Sequence, residues 1–453
     1  MAKQDISVLS GMRDFSPEEV FRRELIFHTI KTVFKKYGFV PIETPAIERL
    51  SVLSGKYGEE GDKLLFNVFN SGSSDEFKDG TFSPDKALRY DLTVPFARYV
   101  VNHRNDLTMP FKRYQIQSVW RGDRPQKGRY REFTQCDADI IGSDSLLNEA
   151  ELILIYHEAL TNLGIRDFKI HFNNRKILNG LAEWLGMPEK FTDLCIALDK
   201  WDKIGKAGVQ KELLNRNFPN ALSNQLLDIL DQPLGIEQKL ELLQKMFVTS
   251  AEGQKGITEV ESILNYLKLY GFVPDNLILD LTLARGLDYY TGAIFEVTVQ
   301  NASVGSIGGG GRYDNLTDTF GLKNVTGVGI SFGADRIYDV MNEQGLFQNL
   351  TVNPTKVLLI NFDENSLGSV LKMASELRTN GVACEVYPQT TKKLDKQFSY
   401  ADKKGIPFVF IIGSEEMEQG TVKIKYLASG EQSTHLRATV IPYITHQIQD
   451  LNL

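Results

Sequence analysis

The chain has 453 residues, enough for about two to four domains at roughly 100–200 residues each, with a core that needs no covalent staple. Hydrophobic residues make up 42% and charged residues 24%, a globular balance, and no apolar run approaches the ~18 residues of a membrane span. Three scattered cysteines and six histidines without ligand spacing argue against a structural zinc site; a net charge of −7 leaves any polyanion contact to local basic patches. The start, MAKQDISVLSG, lacks the apolar core of a signal peptide, so a cytoplasmic protein is expected.

The first element is marked by Ser16-Pro17-Glu18-Glu19: Ser16 as N-cap, Pro17 at the first helical position, Glu19 closing a capping box, and Phe15 with Val20 as a hydrophobic staple. Val20, Phe27, Ile30, Phe34 and Tyr37 keep helical spacing until Gly38 stops it, and a strand over Phe39–Glu43 follows. Residues 46–110 read as short strands and loops, with a polar surface excursion at Ser71–Asp85. Two strand-like runs between Phe111 and Ile141 flank a basic loop, and Glu149–Leu163 is a helix ended by Gly164. The stretch from about 173 to 262 reads as a helical insertion. Strands return at Leu277–Leu283 and Ala293–Gln300, followed by a glycine cluster and a strand-to-helix passage over Gly327–Met341. A boundary falls near Val352-Asn353-Pro354, beyond which strands and helices alternate as in a compact α/β module.

Several segments carry residues suited to chemistry. Between Arg121 and Arg131 stand Arg121, Arg124, Lys127, Arg129 and Arg131 against the single acid Asp123, and guanidinium forks suit phosphate oxygens. Alternation then sets Arg131, Phe133, Gln135, Asp137 and Asp139 on one strand face, a platform for a ligand with phosphate, aromatic and cationic parts. A solvated edge hairpin is the other reading. In LARGLDYYTG, Arg285, Tyr289 and Tyr290 sit in a glycine-bounded turn that can present a charge and phenols to a substrate; an Arg285–Asp288 salt bridge with core tyrosines is the simpler alternative. The cluster Gly308–Gly311 permits close backbone approach without matching a Walker loop or a dinucleotide fingerprint. Arg336 falls in the first turn of a helix, against the dipole, which fits either an anionic partner or plain exposure. Asp91 and Thr93, two apart on one strand face, suit an ammonium group or serve as an N-cap.

Taken in order, these segments resemble the class II aminoacyl-tRNA synthetases, and specifically the histidyl-tRNA synthetase family. The first helix with GFVPIETP is similar to motif 1, FKRYQIQSVWRGDRPQKGRYREF to motif 2, and GVGISFGADRIYDVM to motif 3; LARGLDYYTG and GGGRYDNL resemble the two histidine-specific signatures. Asp91 and Asp139 stand where some bacterial relatives carry glutamate, so the shorter acids resemble the eukaryote-like branch. The resemblance implies an α+β catalytic domain over residues 1–345, on an antiparallel sheet of six or more strands, with the helical insertion at about 173–262. It implies a C-terminal α/β anticodon-binding domain over 354–453, and a homodimer.

The implied activity is ligation of histidine to its tRNA, with ATP as substrate, Mg2+ alongside, and no protein-bound metal site. The resemblance assigns Arg121 and Arg285 to catalysis, with Arg121, Phe133 and Arg336 around ATP. It places Asp91, Thr93, Arg121, Gln135, Asp139, Arg285, Tyr289 and Tyr290 around histidine, and Gln126 and Arg131 at the tRNA acceptor end. A synthetase-like regulatory subunit that senses histidine without charging tRNA is the alternative, disfavoured because Arg121, Arg285, Arg336 and the terminal module are all present.

Overall fold

In the computed structural model the residues described are 5–55, 61–70, 84–284, 289–348 and 354–451. The expected excursion at Ser71–Asp85 falls almost entirely outside them, and Arg285 does so completely. The chain forms two compact units, Met1–Phe15 with Arg22–Gln348, and Ser16–Phe21 with Asn349–Leu453.

The first unit is organised by an eight-stranded sheet in the order β1 (Val40–Pro41), β5 (Phe111–Trp120), β6 (Glu132–Ile141), β11 (Gly327–Gly333), β10 (Gly308–Arg312), β9 (Ala293–Val299), β7 (Phe168–Asn174), β8 (Leu277–Leu279). The six central strands are antiparallel throughout, and a short parallel strand closes each edge. This is the antiparallel platform that the resemblance implies. A small second sheet joins β2 (Ile47–Arg49), β4 (Lys86–Leu88) and β3 (Asn67–Val68).

The opening helix runs over Pro17–Lys36, and its capping box forms as read: Ser16 N–H donates to Glu19 Oε2 at 2.7 Å and Glu19 N–H to Ser16 Oγ at 3.3 Å. Ile26, Ile30, Val33 and Phe34 fall on one helical face and are buried, each contributing on the order of 1.5–3 kcal/mol relative to exposure. Phe34 meets Tyr114 of β5 and Phe332 of β11, both at 5.8 Å between ring centroids, so this helix covers the back of the sheet. The Leu147–Asn162 helix covers the same side: Tyr156 stacks edge-on against Phe332 and donates its hydroxyl to Gly309 O at 2.8 Å. Period-two alternation leaves the opposite face of β5, β6 and β11 for polar side chains. Helices from Arg175 to Leu269 fill the region read as an insertion.

One reading needs correction. Residues 93–102 form a helix, Thr93–Asn102, so Asp91 and Thr93 do not share a strand face. The capping alternative holds: Val94 N–H donates to Asp91 Oδ1 at 3.1 Å, and Pro95 sits in the first turn, where its missing N–H has no helical acceptor to lose. The glycine cluster, whose element the sequence left open, forms β10, a central strand registered against both β11 and β9.

In the second unit a five-stranded sheet runs β13 (Cys384–Val386), β12 (Val357–Leu359), β14 (Phe408–Ile411), β15 (Thr421–Tyr426), β16 (Gln432–Leu436), with parallel pairs around β12 and antiparallel ones beyond β14. Val357 and Leu359 face a core with Val370, Met373 and Ile444, while Leu358 and Ile360 face Ala401 and Ile406. Burial on both faces explains why β12 reads as one apolar run instead of an alternation.

Candidate active site

The β5–β6 hairpin and β11 build the polar face by register. Arg113, Gln115 and Gln117 on β5 stand opposite Asp139, Asp137 and Gln135 on β6, and these in turn stand opposite Gly329, Ser331 and Gly333 on β11. Arg113 is fully buried; its Nη2 lies 2.7 Å from Asp139 Oδ2 and also reaches Leu92 O at 3.4 Å, tying the floor to the turn that carries Asp91. The Phe96 ring lies 4.4 Å beneath its guanidinium. Tyr313 donates its hydroxyl to Asp139 Oδ1 at 2.6 Å, and Gln135 Nε2 donates to Ser331 Oγ at 3.0 Å.

Two glycines let side chains of this face approach the backbone closely. A Cβ at Gly329 would lie 2.0 Å from Asp139 Oδ1, and one at Gly311 2.9 Å from Tyr290 Cδ1. Asp139 and Tyr290 therefore lie flat over bare backbone. Tyr289 packs edge-on to Tyr290 at 5.1 Å and to Tyr313 at 6.1 Å. Burial drives the electrostatics: it pushes the Asp137 and Asp139 carboxyls above the usual range, against the pull of Arg113. Burial also raises the Tyr290 phenol, helped by the charges of Asp139, Asp91 and Asp137, so these four groups share one enclosed field.

At the other end of β6 the chemistry changes. The Arg121 guanidinium sits 4.2 Å from the Tyr90 ring and 5.1 Å from the Phe133 ring, with Nε donating to Tyr90 O at 3.2 Å. Arg336, in the first turn of the Ala334–Glu343 helix, donates Nε to Gly128 O at 2.7 Å and Nη1 to Ser306 O at 2.6 Å. It thus fastens the basic loop to the segment before β10. Arg131 is held by backbone: Nε donates to Asp123 O at 3.1 Å and Nη1 to Ser10 O at 3.3 Å. Gln126 is exposed on a tight turn closed by its own backbone and that of Arg129.

The structure thus brings Asp91, Gln135, Asp139, Tyr289 and Tyr290 into one cluster and sets Phe133, with Arg121 beside it, further along β6. Thr93 lies one residue inside the helix that Asp91 caps. Arg336, Gln126 and Arg131 belong to the loop and its anchors, not to that cluster. Sequence reasoning passed over Arg113, Tyr313 and Ser331. The alternation Arg113-x-Gln115-x-Gln117 signalled a polar strand face, whereas Tyr313 carried no signal separable from core packing.

Comparison with known proteins follows this geometry. Residues 11–337 match the sequence model of histidyl-tRNA synthetase, and residues 356–447 match that of an anticodon-binding domain. A histidine–tRNA ligase of Cytophaga hutchinsonii is 52% identical, covering 94% of this chain and 96% of its own. One from Christiangramia forsetii is 49% identical over 95% and 97%. The crystal structure of histidyl-tRNA synthetase from Nostoc sp. PCC 7120 superposes with a TM-score of 0.85 at 33% identity, covering 98% of this chain and all of that one. The chain belongs to the histidyl-tRNA synthetase family.

Proposed function

We infer that the polar face of the large sheet activates histidine with ATP and passes it to tRNA, as a histidine–tRNA ligase does. The observation that carries this is the single strand β6. It presents Phe133 beside the Arg121 guanidinium at one end and, two and six residues on, Gln135 and Asp139 in a buried cluster of acids and phenols. Such a strand spans a nucleotide and an amino acid whose carboxylate must meet the α-phosphorus between them. A neutral imidazole offers one donor and one acceptor, so a carboxylate and a phenol satisfy both nitrogens; a site built that way rejects apolar side chains by leaving its own groups unpaired.

In the first step a histidine carboxylate oxygen attacks the α-phosphorus and pyrophosphate leaves. In the second, a terminal ribose hydroxyl of tRNA attacks the acyl carbon and AMP leaves. In this reading Arg121 and Arg285 hold the α-phosphate and the carboxylate, whose like charges must approach; fixed guanidiniums stabilise that charge without reorganising. Phe133 stacks on adenine and Arg336 meets the terminal phosphates. Asp91, Thr93 and Gln135 hold the amino and carboxylate groups, and Asp139 with Tyr290 brackets the ring, Tyr289 alongside. Gln126 and Arg131 meet the acceptor end. Mg2+ enters as part of the ATP substrate, held by its phosphates; among the described residues no cluster of three or more His, Cys, Asp or Glu is arranged to hold an ion.

The reading extends to the whole chain: a catalytic domain over 1–345 with its insertion at about 173–262, and a domain over 354–453 that binds the anticodon. It places a homodimer in the cytoplasm. The exposed β1 edge at Val40 supports pairing, and no described helix is long and apolar enough to cross a membrane. Incubation with labelled histidine, ATP and histidine tRNA tests it: acid-precipitable label is expected, sedimentation at twice the 51.1 kDa chain mass accompanies it, and histidine bound without charging would overturn it.

A further inference from the structure

Asp137 is the one acid of the β6 face to which the resemblance gives no task. It is 2% exposed, stands opposite Gln115 and Ser331, and its Oδ1 has no hydrogen-bond partner among the described residues. An unpaired buried carboxylate oxygen is costly unless something meets it. Its neighbour Asp139 differs in having a charge partner: Oδ1 accepts from Tyr313 at 2.6 Å, and Oδ2, although without a hydrogen bond of its own, lies 2.7 Å from Arg113 Nη2 in an ion pair.

Ser331 sets the direction of the open atoms. Its oxygen accepts from Gln135 Nε2 at 3.0 Å, and the residue stands opposite Asp137 in the β6–β11 register, on the same face. With its amide nitrogen held by Ser331, Gln135 leaves Oε1 buried and unpartnered, so Gln135 Oε1 and Asp137 Oδ1 are two open acceptors on one strand face, two residues apart. Asp91 adds negative charge nearby, while Arg113 is paired to Asp139. A group with positive charge and several donors fits this field. An ammonium has three donors, and a neutral imidazole has one.

We propose that Asp137 is a further amino-acid-binding residue, its Oδ1 accepting a hydrogen bond from the α-ammonium of histidine beside Gln135 Oε1. This rests on the histidine-activating reading of the same site. The contact gives a partner to an acid that stands between Gln135 and Asp139 with one oxygen unsatisfied among the described residues.

Asp137→Asn tests this in histidine-dependent pyrophosphate exchange. The KM for histidine is expected to rise about 10- to 100-fold, the cost of one charge-assisted hydrogen bond, with the KM for ATP and the melting temperature unchanged. Two competitors locate the contact: histidinol keeps the ammonium, and imidazolepropionate lacks it. The variant should weaken histidinol by the same factor and leave imidazolepropionate untouched. Equal weakening of both, or an unaltered histidine KM, overturns the proposal. If Asp137→Asn melts low, Ser331→Ala keeps the carboxylate but removes the hydroxyl that stands opposite it and holds Gln135; a smaller loss confined to histidine and histidinol is expected, and no such loss overturns the proposal. Wild-type protein without histidine-dependent exchange would refute the activity itself; an active wild type with an indifferent variant refutes only the role of Asp137.

Discussion

The sheet makes a sharp prediction at two adjacent glycines of β10. A Cβ added at Gly310 would lie 2.2 Å from Gly329 O and 2.8 Å from Ile330 Cα, both backbone atoms of the neighbouring strand. That is roughly 1 Å short of ordinary contact, and no rotamer relieves it. Strands pair at about 4.8 Å, so the β10–β11 ladder must part or shear. Overpacking of this kind costs about 1–3 kcal/mol, here at the upper end because the clash is with backbone; relief of glycine's entropy cost returns about 0.5–1 kcal/mol. Gly310→Ala should therefore lose about 2 kcal/mol. At Gly309 the nearest atom to an added Cβ is Phe295 O at 3.5 Å, so Gly309→Ala should stay within about 0.5–1 kcal/mol of the parent. Its methyl stands on the polar face, so any effect should appear in the KM for histidine or ATP, not in melting. Urea unfolding and thermal melting of the two variants, with pyrophosphate exchange alongside, measure this. Equal destabilisation of both would show that β10 is not packed as described.

Arg285→Ala should slow adenylate formation by at least ~10²–10³, the usual cost of removing one preorganised donor, and unchanged histidine-dependent exchange would remove Arg285 from the site. Asp139→Ala should mainly weaken histidine and also destabilise the fold, because it strands the buried Arg113; a variant with parental histidine affinity would take Asp139 out of the site. Gln126→Ala should impair tRNA charging more than exchange, and equal loss in both assays would move Gln126 into the adenylation site; Arg131→Ala is a less clean arm because Arg131 also holds Ser10. Burial alone would raise the Asp280 carboxyl, but hydrogen bonds from His171 and Thr282 and the charge of His171 bring it from 3.8 down to about 2. Its contribution, on the order of 2 kcal/mol, is complete above pH 3.8 and is lost as the pH falls through about 2. The stability gap between parent and Asp280→Asn should shrink over that window, and a gap constant with pH would contradict the assignment.

Much of this site was legible before any coordinates. The alternation placed Arg131, Phe133, Gln135, Asp137 and Asp139 on one face because a strand's side-chain period is two whatever surrounds it; the register bears this out from Phe133 on, while Arg131 lies before β6 and is held by the backbone of Asp123 and Ser10. The cap at Ser16 was equally local. What stayed hidden depends on partners distant in sequence. The Arg113–Asp139 pair is set by register between two strands, and the Tyr313 bond to Asp139 spans 174 positions. The strand β10 was hidden for another reason: four glycines carry no pattern, and its pairing is made by the flat backbone over which Tyr290 lies. At Asp91 the spacing suggested a strand, but a cap followed by Pro95 in the first turn signals a helix start.

The central claim is that one enclosed face joins ATP to histidine and to no other amino acid. Exchange of labelled pyrophosphate into ATP, run with each of the twenty amino acids in turn, tests it most directly. Strong exchange with histidine alone is predicted; exchange driven by another amino acid, or by none, would contradict it.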